Sequence, residues 1–508
     1  RSIFVKLRRF ASDVYESGID GDMCDEPMKF TWKSGQLYLR NSRTRIPFRY
    51  GTACMTVSPQ AILEVAIEVD GVVVHGYSGD CLPPSWFDKD PTKDFRQQVQ
   101  EMMDASMQAC EQFRESFSSP EWFFPGWLQV YHRQHERGRS QKWPDLLTSF
   151  GISLVERAVL DALCRAKRIP FGDAVRENLF GINAGLVHEC LTTYSPGDWL
   201  PPQSRTSLYV RHTVGLGDPL TDDEVDRDVP ADGFPRSLES YLVRHGQKYF
   251  KIKVSNRLDH DLERLTRIAK IVQTYRGDQY FITLDGNEQY HSIAELSELI
   301  EKIVASQQLA TLWKNTVLIE QPLARAVALE EGLAGDLRQL CEQKPVIIDE
   351  SDGALDAFPR AVQCGYRGVS TKNCKGPIKS ILNAGLIWRL NQDHPGKFLM
   401  SAEDLCCVGV VPLQSDLCLV AMLGIEHVER NGHHYHPGLG YLPVSEQHAV
   451  LAAHGDLYER CGERVAPRLV NGKFRIGSLQ CPGFGFAVIP DVQAMTPAED
   501  WDFDSLYA

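Results

Sequence analysis

The chain has 508 residues, 43% of them apolar, and a formal net charge of −13 at pH 7. That length holds two or three ordinary domains, or one barrel with an added domain. The acidic balance argues against nucleic-acid binding, which draws on a basic footprint, and an anionic small molecule would need a local cationic device such as a metal.

Fourteen cysteines are scattered along the chain with no Cys-x-x-Cys pair. Cys406 and Cys407 are adjacent, where a mutual bridge is strained, so reduced thiols in a cytoplasmic protein are the expectation. No apolar run reaches the roughly 18 residues of a membrane span. The opening RSIFVKLRRFASDV is basic and lacks the apolar centre of a secretion signal. The sequence starts at Arg1 rather than Met and does not by itself define the native start.

In chain order, QAILEVAIEVDGVVVHGY (60–77) alternates apolar and polar residues around Asp70-Gly71, a hairpin signal. GISLVERAVLDALCRAKRIPF (151–171) carries Leu154, Val155, Ala158, Val159, Ala162, Leu163 and Ala166 at helical spacing, and Pro170 ends the run. The proline-rich YSPGDWLPPQSR (194–205) marks a boundary. Residues 1–205 are therefore predicted to form an α+β capping unit.

From 206 onward short β-rich runs alternate with helical ones. SLYVRHTVG, YFKIKV, YFITLDG, TVLIEQP, PVIIDES, RGVSTKN, KFLMSAED and IEHVER are predicted strands, separated by helices such as 258–276 and 291–308. Eight such repeats predict a (β/α)8 TIM-type barrel over 206–430. Residues 431–508 are read as a C-terminal segment returning to the cap, with CPGFGFAVIPD (481–491) as one further strand. The fold class is thus α/β, a (β/α)8 barrel with an α+β capping domain built from the N-terminal segment and the C-terminal tail.

The stretch KYFKIKVS places Lys251 and Lys253 on one face of a strand. Two adjacent ammonium groups mean either an exposed edge guarded by lysines or an anion in front of them. The remaining strand tips decide between these. Past Lys253 come Asp285 in LDGNE, Glu320 in IEQP, Asp349 in IDES, Lys372 in STKNCKG and Glu403 in SAED, at steps of 23 to 35 residues. A barrel of ordinary size divides into roughly 31 residues per unit. Each tip alone reads equally as a turn or a helix cap; together they recur in phase, on the face where barrel sites are built.

Three carboxylates on neighbouring strands repel unless a cation lies among them, and hard oxygen donors without Cys or His suit Mg2+. Lys253 and Lys372 would flank that ion from opposite sides. A lysine near another cation and partly desolvated is expected to have a lowered pKa, which suits removal of a proton α to a carboxylate, with the metal stabilising the enediolate. Lys251 would hold the substrate carboxylate.

These motifs resemble the enolase superfamily and, within it, the muconate-lactonizing-enzyme-like subgroup of the mandelate racemase/muconate lactonizing enzyme family. ILEVAIEVDGVVVHGYSGD resembles the cap hairpin, LVERAVLDALCRAKRIPF the helix leading into the barrel, and KIK, LDGN, IEQP, IDES and STKNCKG the successive active-site strands. The resemblance implies Asp285, Glu320 and Asp349 as metal ligands, Lys253 and Lys372 as the acid/base pair, and Glu403 as a substrate contact. Strand seven ends in Ser401-Ala402-Glu403, without the histidine of mandelate-racemase-like members. Strand eight lacks the Asp-x-Asp of dipeptide epimerases, which argues against a dipeptide substrate. Both the cap segment and the tail are longer than is usual in this group.

The expected activity is abstraction of the α-proton of a carboxylate, giving racemisation or epimerisation, or cycloisomerisation. A dehydratase acting by β-elimination on an acid sugar, and a non-catalytic barrel that binds metal and ligand, are the alternatives. Arg49 and Tyr50 in RIPFRYG and Trp86 in CLPPSWFDKD are candidate substrate contacts from the cap. His433 in NGHHYH is a structural loop residue, a substrate contact or a metal ligand; adjacent histidines lack the helical spacing of a zinc motif. Asn287 and Glu350 are expected to support the site from behind, and Lys375 to be solvated. The partner expected is a small carboxylate, with no nucleic acid and no membrane, and the resemblance implies a homo-oligomer.

Overall fold

The computed structural model describes residues 27–508 except 231; the basic opening stretch lies outside the described residues. The cap begins with three antiparallel strands, β1 (Lys29–Tyr50), β2 (Ala53–Val69) and β3 (Val72–Cys81). The predicted hairpin turn is present: Asp70 and Gly71 have φ of 51° and 80°, the left-handed pair that a two-residue β-turn requires. Two helices pack on this sheet, α1 (Phe95–Ser116) and α3 (Asp145–Lys167), and α2 (Phe123–Ser140) packs on both of them. Helix α3 is the predicted 151–171 helix, starting one and a half turns earlier. It is buried almost all round because it lies between the cap sheet and the barrel. At Gly76 of β3 a Cβ would stand 2.1 Å from the Ala158 carbonyl oxygen, so only glycine admits α3 this close.

The barrel follows as predicted, strand by strand: β4 (Ser207–Val214), α4 (Leu238–His245), β5 (Tyr249–Lys253), α5 (Leu258–Arg276), β6 (Phe281–Asp285), α6 (Ile293–Ala305), β7 (Thr316–Glu320), α7 (Ala334–Cys341), β8 (Val346–Ile348), α8 (Ala357–Cys364), β9 (Gly368–Thr371), α9 (Pro377–Asp393), β10 (Leu399–Ala402), α10 (Val411–Met422) and β11 (His427–Arg430). All eight strands are parallel, and β11 pairs back onto β4 (His427 with Tyr209, Arg430 with His212), closing the barrel.

After a hairpin of Tyr458–Cys461 with Arg464–Pro467, the tail adds β12 (Lys473–Arg475), antiparallel to β4. It then crosses to the cap, where β13 (Thr496–Pro497) pairs with Leu39 and Tyr38 of β1. Residues 481–491 do not form the expected strand. Gly483 and Gly485 take φ of 105° and 90°, and the one bridge there joins Gly483 to Pro170. The alternating phenylalanines that resembled a strand are buried individually: Phe484 stacks on Phe171 at 3.8 Å, and its backbone N–H donates to Asp161 of α3 (2.8 Å).

Candidate active site

Strand β5 lies between β4 and β6, so its lysines guard no edge. Phe250 and Ile252 face the helices, while Lys251 and Lys253 face the interior, 1% and 6% exposed. Register does the rest. Lys253 is opposite Asp285, and Asp285 is opposite Glu320, so three consecutive strand tips are level. Asp349, Lys372 and Glu403 each stand one residue beyond β8, β9 and β10.

Lys251 is the hub of the arrangement. Its ammonium lies 3.0 Å from Asp285, 2.7 Å from Glu320, 2.8 Å from Glu403 and 2.9 Å from Glu429. Lys253 pairs with Asp285 at 2.5 Å, and Lys372 with Asp349 at 2.5 Å. Lys375, expected to be solvated, is buried instead: its ammonium contacts Asp349 (3.2 Å), Asp352 (3.2 Å) and Ser370 Oγ (2.7 Å). The turn after β9 folds it inward.

Burial works against the ammonium form of Lys251, but Asp285, Glu320, Glu403 and Glu429 outweigh it and hold the group well above the ordinary lysine range. Burial likewise opposes the charge on Lys372, and Asp349 more than restores it, so this lysine too is raised. The lowering expected for Lys372 is therefore reversed, because the Asp349 carboxylate rather than a cation is its nearest charge. Burial also acts to raise Asp349, yet Lys372, Lys375 and Lys251 hold it well below the usual carboxylate range. Glu320 goes the other way: burial, Asp285 and Glu403 push it well up against the pull of Lys251.

The donor set Asp285, Glu320 and Asp349 has the oxygen chemistry that a hard divalent cation takes. Their arrangement already satisfies the demand for positive charge differently. The point where Asp285 and Glu320 converge is filled by the Lys251 ammonium, and Asp349 is turned to Lys372, Lys375 and Ser370. Among the described residues no three His, Cys, Asp or Glu side chains stand in a metal-holding group. The donors suit Mg2+ by type, and its entry would require Lys251 to withdraw.

Above this cluster lies a narrow cavity of about 30 Å3, room for little more than one water. Lys251, Lys253, Asp349, Lys372 and Glu429 line it from the barrel; Tyr50 and Trp86 line it from the cap. The Trp86 ring centroid is 4.4 Å from Lys372 Nζ. Tyr50 spends its hydroxyl on the Pro84 carbonyl (2.6 Å), so its ring is what faces the cavity. Asn287 donates from its own backbone to Asp285 (2.7 Å) and from Nδ2 to Glu350 (2.6 Å). Burial, Asp349 and Glu288 push Glu350 up to about 7.

Three predicted contacts fall elsewhere. Arg49 is exposed beside Gly217, because it alternates with Tyr50 on β1 and takes the opposite face. His433 does not line this cavity; it is hydrogen-bonded to His212 (3.2 Å) and borders a separate small cavity near Arg430 and Leu439. Glu403 is fully buried beneath the cavity, paired with Lys251 and Arg211. Sequence reasoning passed over two members of the cluster. Glu429, on β11, accepts from Thr213 Oγ1 (2.7 Å) and Lys251; as an acid on the eighth strand it carried the same signal as the others. Arg211, on β4, pairs with Glu403 and donates to the Ala402 carbonyl (2.8 Å).

Fold and cluster together define a capped (β/α)8 barrel with an ionic centre at the strand tips. No protein-family profile matches the chain, and no curated protein matches it. Solved structures do match in fold. A muconate lactonizing enzyme from Pseudomonas fluorescens complexed with muconolactone aligns over 91% of this chain and 98% of its own, with a TM-score of 0.56 and 14% identity. An enolase from Bradyrhizobium complexed with magnesium and mandelic acid aligns over 92% and 99%, with 0.55 and 15%. A mandelate racemase/muconate lactonizing protein from Herpetosiphon aurantiacus aligns over 91% and 99%, with 0.55 and 16%. The chain has the fold these proteins share.

Proposed function

We propose that this chain is an enolase-superfamily enzyme of the muconate-lactonizing-enzyme-like subgroup that abstracts the α-proton of a carboxylate substrate. The observation that carries the proposal is that Lys253 and Lys372, from β5 and the turn after β9, line one cavity, each paired with its own aspartate. Two amines facing one small space can serve the two faces of a single carbon.

In this proposal Lys253 first loses its own proton to solvent and then takes the proton from Cα, and Lys372, which Asp349 keeps protonated, returns one to the opposite face. That is racemisation or epimerisation; where one lysine acts only as a cation, an internal nucleophile adding at Cβ with the other lysine returning its proton to Cα, or the reverse, is cycloisomerisation. Trp86 shields Lys372 from water. A Mg2+ ion, for which Asp285, Glu320 and Asp349 are the proposed ligands, would supply positive charge against the enediolate. Free cysteines throughout the described residues support a cytoplasmic protein, and a homo-oligomer is proposed by analogy with the fold. No helix of the described residues is long and apolar enough to cross a membrane.

The test is α-deuterium incorporation, followed by mass, on incubation with Mg2+ and a carboxylate panel in D2O. Lys253→Ala and Lys372→Ala should each remove exchange at one face. Unchanged exchange in either variant refutes that lysine's role, and exchange accompanied by loss of water would favour the dehydratase alternative.

A further inference from the structure

The two lysines of the site are held from different directions. In the turn after Lys253, Ser255 donates to Asp261 of α5 through its hydroxyl (2.8 Å) and its backbone N–H (2.9 Å). Asn256 Nδ2 donates to Glu295 of α6 (3.1 Å) and to the Gln289 carbonyl (3.1 Å). All of these partners belong to the barrel. On the Lys372 side the partners include helix α3 of the cap. Ser149 Oγ donates to the Gly353 carbonyl (2.6 Å), in the loop that begins at Asp349. Ser153 Oγ donates to the carbonyl of Asn373, the residue after Lys372. Glu156 accepts from the Ile378 backbone N–H at the start of α9 (3.3 Å). Positions 149, 153 and 156 recur at helical spacing, so they form one polar stripe along α3.

The stripe is dry and closely fitted. Ser149 is 2% exposed and Ser153 is fully buried. Gly353 admits the approach of α3: a Cβ there would stand 2.9 Å from Asp145 Cβ and from the Leu146 nitrogen. Ser149 is itself oriented. Its one proton goes to Gly353, so it accepts from His135 Nε2 of α2 (3.1 Å), whose Nδ1 faces Asp145 (3.3 Å) and whose ring stacks on Tyr131 at 4.5 Å. This serine, histidine and aspartate are not a nucleophile with its base, since the hydroxyl proton is given to a backbone carbonyl rather than to the imidazole. Asn373 is gripped from its other side as well, its backbone N–H donating to Asp416 of α10 (3.1 Å). The peptide groups on either side of Asn373 are therefore fixed by two different helices. Neither Ser149 nor Ser153 lines the cavity over the lysines.

We infer that Ser149 and Ser153 are positioning residues of this site, Ser149 through the loop that carries Asp349 and Ser153 through the turn that carries Lys372. The cap thus places one of the two lysines, while the turn after the other is held by the barrel. The inference rests on the proposed α-proton chemistry only for what Lys372 does once it is placed.

Amide exchange of the full chain, read by mass, tests the placement. Ser153→Ala should raise exchange over 373–376 by about tenfold, and Ser149→Ala should do the same over 350–353; both should leave 254–257 at the parental rate. Val159→Ala, which thins the apolar core on the same helix and touches no hydroxyl, is the control for general loosening. Unchanged exchange over 350–353 and 373–376 overturns the inference, and so does the same map in Val159→Ala. The positioning role is read from α-deuterium exchange by face, with Mg2+ and the carboxylate panel. Ser153→Ala should lower exchange at the face lost in Lys372→Ala by on the order of ten- to a hundredfold and leave the Lys253 face at the parental rate. Ser149→Ala, acting through Asp349, a proposed ligand that serves both faces, should lower both. Equal loss at both faces in Ser153→Ala overturns the inference. A parent that exchanges no acid of the panel sinks the proton-abstraction proposal alone, and the amide map then decides the placement.

Discussion

Lys251→Met is the perturbation that bears most directly on how this site is held together. Its ammonium is the single ion-pair partner that Glu320 has among the described residues. Three other carboxylates share it but keep a second partner: Asp285 keeps Lys253, Glu403 keeps Arg211, and Glu429 keeps the Thr213 hydroxyl. Methionine preserves most of the side-chain volume, so the loss is electrostatic. Removing one partner of a buried ionic group costs about 3–5 kcal/mol, here chiefly through the pairings lost to Asp285, Glu403 and Glu429, since Glu320, already pushed up by burial, can take a proton. Guanidinium unfolding followed by fluorescence should show a loss of that size in the transition that includes the barrel. Divalent cation should then act on the variant more than on the wild type, because the competitor for Asp285 and Glu320 is gone. At a hundredfold excess over Kd, Mg2+ returns about 2.7 kcal/mol. A variant as stable as the parent, or one that Mg2+ stabilises no more than the parent, would show that Lys251 is not the resident counter-ion of these carboxylates.

Two further expectations concern the scaffold. Burial pushes the Glu156 carboxyl of α3 up to about 7, against hydrogen bonds from the Trp127 indole and the Ile378 backbone. The folded chain then keeps a proton that the unfolded chain loses near 4.3, so stability declines as pH rises from about 4.3 to 7 and the contribution is flat above. Glu156→Gln should flatten that limb by on the order of 3 kcal/mol relative to the parent, read from denaturation midpoints across the range; parallel pH profiles would disprove the burial argument. Arg325 latches the cap over the cavity, donating to the Trp86 and Phe87 carbonyls (2.8 and 3.0 Å) while paired with Glu288 (2.8 Å). Arg325→Ala should raise amide exchange over 84–90 by about tenfold or more, with barrel strands unaffected, and an unchanged exchange map would mean the segment is held by its apolar packing instead.

The barrel was legible because its strands, covered on both faces, read as continuous apolar runs cut by turn residues and by one charged tip apiece. The in-phase tips located Lys253, Asp285, Glu320, Asp349 and Lys372 at a common mouth, since a parallel strand exposes its C-terminal end there. Direction and pairing were not legible. Arg49 and Tyr50 are neighbours on one strand, and sequence does not say which of two alternating faces meets the barrel. Lys251 was read as a contact for substrate because nothing in KIK shows that its length brings the ammonium to four carboxylates on other strands. Helices α1 and α2 escaped notice, their buried faces being diluted by Gln98, Ser106, Gln112, Gln134 and His135. The apparent strand at 481–491 failed for want of a neighbour to pair with, which no local pattern reveals.

Asp285, Glu320, Asp349, Glu403, Glu429 and Asp352 face Lys251, Lys253, Lys372, Lys375, Lys379 and Arg211, so the buried set is neutral with Glu320 ionised, and burial, Asp285 and Glu403 push Glu320 toward its protonated form. With Glu320 ionised, as a metal at Asp285 and Glu320 requires, an anionic substrate arriving alone would add uncompensated negative charge over Glu429 and Asp349, and a divalent cation arriving alone would add uncompensated positive charge and displace Lys251; either step is costly in a site this dry. Entering together they offset each other, and the displaced ammonium gains a carboxylate to face. Binding of the two should therefore be cooperative, by a factor of about 5–150, and equal in both directions by linkage. Titrating a small carboxylate with and without Mg2+, and Mg2+ with and without the carboxylate, measures both factors. Independent binding would mean that Lys251 stays among the acids throughout, and the lysine pair would then have to work without any metal at Asp285 and Glu320.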